Sequence, residues 1–171
     1  MQLKKLLPLA VLLAPALTLA HEPDDAVVQW RGIVGVITAP NVDNPVAGIS
    51  AGTLPWAVRD GHARVNLATG EASFEVRGLV LVGGAASGTT GPITTVTGTL
   101  VCNPATQTQA VIDTAEVPLS PLGNAHFRGE LNTIPGVCAN PLFLVRIGPS
   151  FRAAAGRWLA TGAVRSAGDN D

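Results

Sequence analysis

From Val27 onward the chain changes character at every second residue. Val28, Trp30, Val34 and Val36 fall on one side of a first extended segment, with Gln29 and Arg31 on the other. Successive side chains of a strand point to opposite faces, so this alternation predicts a half-buried β-strand. No helical spacing of apolar residues competes with it. The sharpest local pattern is WAVR-DG-HARVNL, beginning at Trp56. Its Asp60-Gly61 pair tolerates the positive φ angles that a two-residue hairpin turn demands. Such a turn sets Arg59 opposite His62, Val58 opposite Ala63 and Trp56 opposite Val65. Trp56, Val58, Ala63, Val65 and Leu67 then share a dry face, and Ala57, Arg59, His62, Arg64 and Asn66 share a wet one. A slip of one residue would destroy that division.

A second tight connection at Thr69-Gly70 leads into ASFEVRGLVLV. Phe74 and Val76 continue the dry face, while Ser73, Glu75 and Arg77 continue the wet one. Gly78 breaks the pattern and predicts a bulge, after which Leu79 to Val82 is apolar on both sides and reads as a strand end covered on both faces. Thr38 to Leu54 and Gly83 to Pro92 are rich in turn-forming or small residues and read as loops. Ile93 to Cys102 alternates threonines with Val96 and Leu100, which predicts a strand with a solvated threonine row. Further strands are expected at Ala110 to Leu119, Ala125 to Leu131, Leu142 to Ile147 and Arg157 to Val164. About nine short strands with no helix between them specify an all-β fold, an antiparallel β-sandwich or squat barrel, and exclude βαβ architectures.

The segment ahead of this pattern is of another kind. Lys4 and Lys5 precede an apolar run from Leu6 to Leu19, which ends in small residues at Thr18 and Ala20. A basic start, an apolar middle and small residues at the cleavage point make residues 1–20 a cleavable signal peptide. The run is shorter than a membrane span and is interrupted by Pro8 and Pro15. Residues 21–26 (HEPDDA) form a flexible lead-in, 27–166 a single β domain and 167–171 a polar tail. The expected localisation is therefore exported, periplasmic or extracellular, with no integral span in the mature chain.

Export changes the reading of the two cysteines. Cys102 and Cys138 are an even pair in an oxidising compartment and are expected to form a disulfide. Closing so long a loop is worth about 4 kcal/mol on chain-entropy grounds. Without CxxC spacing the pair offers no redox catalysis. Both lysines lie in the leader, so nine scattered arginines face twelve carboxylates in the mature chain. That balance offers no basic face to nucleic acid.

Candidate chemistry is sparse. Gly48-Ile49-Ser50-Ala51-Gly52 matches the G-x-S-x-G pattern of hydrolases, but that elbow works between a strand and a helix, and here a loop leads to Pro55. Glu75 with Arg77 and Glu130 with Arg128 read as surface pairs. Asp113 and Glu116, an odd number of residues apart, should point to opposite faces of a regular strand and form no acid/base pair. No P-loop is present. These failures favour a protein acting without catalysis.

His21 is the most pointed residue, because cleavage after Ala20 makes it the first. A terminal amine and imidazole chelate copper together, and one further imidazole, from His62 or His126, completes a nitrogen set that Cu(II) prefers. In that feature the mature start is similar to those of periplasmic copper carriers of the CopC type and of lytic polysaccharide monooxygenases. The likeness covers this residue and a general β architecture. The chain departs from both in lacking tyrosine. Most aromatic residues, Trp30, Trp56, Trp158, Phe74, Phe127 and Phe143, fall on apolar strand phases and are expected in the core. Phe151, in the loop PSFRAAAG, is the exception and the candidate binding residue. The expected function is an exported binding or envelope-associated module for an unidentified partner. The alternative is copper binding through His21 with His62 or His126.

Overall fold

The computed structural model describes residues 26–39 and 42–167, with side chains up to residue 163. The proposed leader, most of the lead-in and residues 168–171 lie outside it. The described residues form eleven strands and no α-helix: β1 (Val27–Gly35), β2 (Trp56–Ala57), β3 (Asp60–Asn66), β4 (Glu71–Arg77), β5 (Val80–Leu81), β6 (Thr95–Cys102), β7 (Ala110–Asp113), β8 (Val117–Pro118), β9 (Ala125–Glu130), β10 (Leu142–Ile147) and β11 (Trp158–Ala167). Nine belong to one antiparallel sheet in the order β7-β6-β10-β11-β1-β3-β4-β9, with β8 also on β6, while β2 and β5 form a separate pair.

That sheet curls on itself. Three strands separate β4 from β10 in the order, yet the rings of Phe74 and Phe143 meet at 5.7 Å and Trp30 packs on Phe143 at 5.5 Å. Gly98 on β6 makes room for them, since a Cβ there would stand 2.7 Å from the Phe74 ring. The expected all-β class is therefore realised as one curled sheet. Its disulfide, Cys102–Cys138, joins the end of β6 to the segment ahead of β10, with Cα atoms 4.7 Å apart.

Alternation holds where a strand is regular. β3 and β4 bury Ala63, Val65, Ala72, Phe74 and Val76 and expose or half-expose their neighbours. The Thr69-Gly70 connection is also present: Gly70 takes φ 81° and its N–H bonds to the Asn66 carbonyl, while the Asn66 side chain accepts from Ala68 and Thr69.

The Asp60-Gly61 hairpin is not formed. Both residues sit inside β3, opposite Arg77 and Val76, and Trp56 pairs with Leu81 instead of Val65. Gly61 serves close packing there, not a turn, because a Cβ would meet Ile33 at 3.0 Å and the Glu75 carbonyl at 3.1 Å. Trp56 and Val65 are nevertheless both buried in the common core.

Other departures have equally local causes. Irregular pairing around Gly32 shifts the phase of β1, so Ile33 turns inward and Val34 outward, 48% exposed. Gly78, at φ 65°, is where the chain leaves the large sheet, not a bulge within one strand, and Val82 emerges 46% exposed. The expected strand from Ala110 to Leu119 breaks at residues 114–116, where Thr114 bonds Gly98 through both its N–H and its hydroxyl oxygen. The threonine row on β6 is covered, with Thr97 4% and Thr99 0% exposed.

Candidate functional site

The loop between β10 and β11 is built from overlapping turns. Phe151 N–H bonds the Gly148 carbonyl, Ala154 N–H bonds Phe151, and Arg157 N–H bonds Ala154. Two charged side chains fasten it from the sheet. Glu116 accepts the Ser150 N–H at 3.0 Å and the Ser150 hydroxyl at 2.6 Å, and also the Thr95 hydroxyl. Arg146 donates to the Gly156 carbonyl at 2.7 Å and pairs with Asp113 at 2.9 Å, while Asp113 accepts the Thr99 hydroxyl at 2.6 Å. The Ser150 hydroxyl above all, then that of Thr95 and the Ser150 N–H, holds the Glu116 carboxyl below its ordinary pKa.

Asp113 and Glu116 thus converge on the same threonine face, contrary to the expectation of opposite faces. The break after Asp113 resets the alternation that spacing alone would impose. Both carboxylates fasten the β10–β11 loop, Glu116 through Thr95 and Ser150 and Asp113 through Thr99 and Arg146.

This fastening places Phe151 in the wall of an apolar cleft of about 140 Å³, together with Trp56, Leu81, Ile93 and Ile147. Phe151 is half-buried and rests on the core. Gly52, Thr53 and Arg157 line the cleft and also a polar hollow of about 460 Å³ on its far side, into which Asp43 faces. The two spaces, termed together the groove, adjoin at Gly52, Thr53 and Arg157.

The long loop expected from Thr38 to Leu54 forms that wall over its described part. Trp158 fixes it: its N–H bonds the Ser50 carbonyl, its carbonyl accepts from Gly52, and its indole N–H reaches the Asn44 carbonyl at 3.0 Å. Arg157 donates one Nη1 hydrogen to the Ala51 carbonyl at 2.8 Å. Asp43 accepts the Ser50 hydroxyl at 2.8 Å. Ser50, the centre of the hydrolase-like pattern, is therefore bonded to a carboxylate in a loop, while His62 and His126 stand on β3 and β9.

Those histidines are brought into one row. Glu75 on β4 lies opposite His62 on one side and His126 on the other, and all three are on the outer face of the sheet. Glu75 pairs with Arg77, as expected. Arg128 reaches Glu71 at 3.9 Å, not the expected Glu130. Among the described residues no three His, Cys, Asp or Glu side chains are grouped to hold a metal ion. His21 lies outside those residues. None of their helices is long and apolar enough to cross a membrane.

Sequence reasoning singled out Phe151 and missed Trp56 and Arg157, which line its cleft, and Asp43 in the adjoining hollow. Only the unusual length of the Thr38 to Leu54 loop hinted at a wall, since long loops in small domains often carry function. Compared with known protein families, curated proteins and solved structures, the chain matches none.

Proposed function

We propose that this chain is an exported, non-catalytic module that binds a small ligand in the groove between Phe151 and Asp43. The observation that carries the reading is the join of an apolar cleft to a polar hollow at Arg157. Small-molecule sites are typically apolar clefts with a few directed polar groups. The apolar part is close to the volume at which an engineered apolar cavity of about 150 Å³ admits a benzene-sized body. Screening small apolar compounds by NMR against the processed protein tests it. Shifts at Trp56, Ile93 and Phe151 that vanish in Phe151→Ala support the groove, and a screen in which no compound moves those resonances overturns it.

The row of His62, Glu75 and His126 favours a second reading, in which copper is held by His21 with one of these imidazoles. The His21 amine and imidazole would supply two nitrogens, and His62 or His126 a third on an exposed face. Native mass spectrometry of the processed protein should then show one copper that is lost when a residue is added ahead of His21. Copper retained by the extended form would sink it.

A further inference from the structure

The groove presents two opposite charges that do not close on each other. Asp43 and Arg157 line one hollow, yet Asp43 bonds Ser50 and Arg157 bonds the Ala51 carbonyl, and the two form no ion pair with one another. The hollow beside Thr97 is lined by Asp113 and Arg146, and there the pair is made at 2.9 Å. A carboxylate and a guanidinium held apart across an open space are complementary to a molecule that carries both signs.

The rest of the groove fixes what lies between those signs. Arg157 still has donors aimed away from Ala51, since a guanidinium carries five N–H groups and one is used here. The geometry of a guanidinium suits a carboxylate. Asp43 retains acceptor capacity beyond the Ser50 bond, which suits an ammonium. Arg157 also lines the apolar cleft walled by Trp56, Leu81, Ile93 and Phe151. Gly52 and Thr53 likewise line both the polar hollow and the apolar cleft.

We propose that the ligand is an apolar α-amino acid in its zwitterionic form, its carboxylate on Arg157, its ammonium on Asp43 and its side chain in the Phe151 cleft. This rests on the groove reading above. All three groups leave one carbon, so one small molecule offers a partner to each of the three walls. A simple carboxylate leaves Asp43 unanswered, and a simple amine leaves Arg157 unanswered. Loss of either charge-assisted bond is expected to weaken binding at least about tenfold, which sets the preference over either analogue.

Calorimetric titration of the processed protein with phenylalanine, 3-phenylpropionate and phenethylamine tests it, read beside the NMR shifts of Trp56 and Phe151. The expected result is phenylalanine binding at least tenfold more tightly than either analogue. In Asp43→Asn that advantage over 3-phenylpropionate should fall below twofold, because asparagine keeps the Ser50 bond but not the charge. Arg157→Gln should remove the advantage over phenethylamine in the same way. If 3-phenylpropionate binds as tightly as phenylalanine, the zwitterion proposal falls while the groove reading stands. If phenylalanine leaves Trp56 and Phe151 unmoved while an uncharged apolar compound shifts them, it falls in the same manner. If no compound shifts them, both readings fall together.

Discussion

At Gly35 a Cβ would meet the Trp56 carbonyl oxygen at 2.0 Å. Backbone stands against backbone there, and no rotamer change can relieve it. Gly35→Ala should therefore destabilise the fold by about 3 kcal/mol, a cost at the upper end for overpacking, readable as a lower urea midpoint at unchanged slope. Glycines also show what a sequence leaves undecided at this scale. Gly70 was legible as a turn because its left-handed conformation is a local property. Gly61 was not, because the reason for it is Ile33, a residue of another strand. An Asp-Gly pair carries the same letters whether it reverses the chain or lets two strands crowd together. Phe151 stood out in the sequence for the opposite reason: a large ring in a loop of small residues has no strand partner to explain it.

Within elements, the Glu116 tether makes the groove wall sensitive to acid. Its carboxyl has a lower pKa folded than unfolded, chiefly through the Ser150 hydroxyl. The stabilisation is present above the unfolded value and lost as pH falls through the folded one. Glu116→Gln should melt at a lower temperature than the parent near pH 7, and the gap should narrow as pH is taken from about 6 to about 3. A constant gap would show that charge on Glu116 contributes nothing. Regular strands such as β3 and β4 could be read from alternation because one face of each repeats the same environment. β6 could not, since Thr95 bonds Glu116, Thr99 bonds Asp113, and Thr97 and Thr99 are buried. Alternation reports polarity, and a buried hydroxyl has the same letter as a wet one. The break between β7 and β8, which sends both carboxylates to one face, has no local signature either.

Across the whole molecule, the disulfide is the one covalent tie between distant segments, spanning a sequence separation of 36. Reducing it should lower unfolding free energy by about 4 kcal/mol, measured as the shift in denaturant midpoint with and without reductant. A shift below about 1 kcal/mol would mean the native contacts around Cys102 already confine the loop. The all-β class and this pairing were legible because each follows from composition and period. The sheet order was not, because alternation says which face a residue takes and nothing about which strand lies beside it. The groove inherits that limit, as its walls come from four separate stretches of chain that only the curl brings together.

The position of β1 between β11 and β3 carries one more consequence. This first of the described strands cannot complete both its edges until the last of them, ten residues long, is made. Until then an unpaired ribbon with Trp30 and Ile33 on it stays available to any sticky neighbour. Assembly of this domain is thus governed by its last segment, and a ribosome that stops before Trp158 releases a template for aggregation, not a smaller working protein.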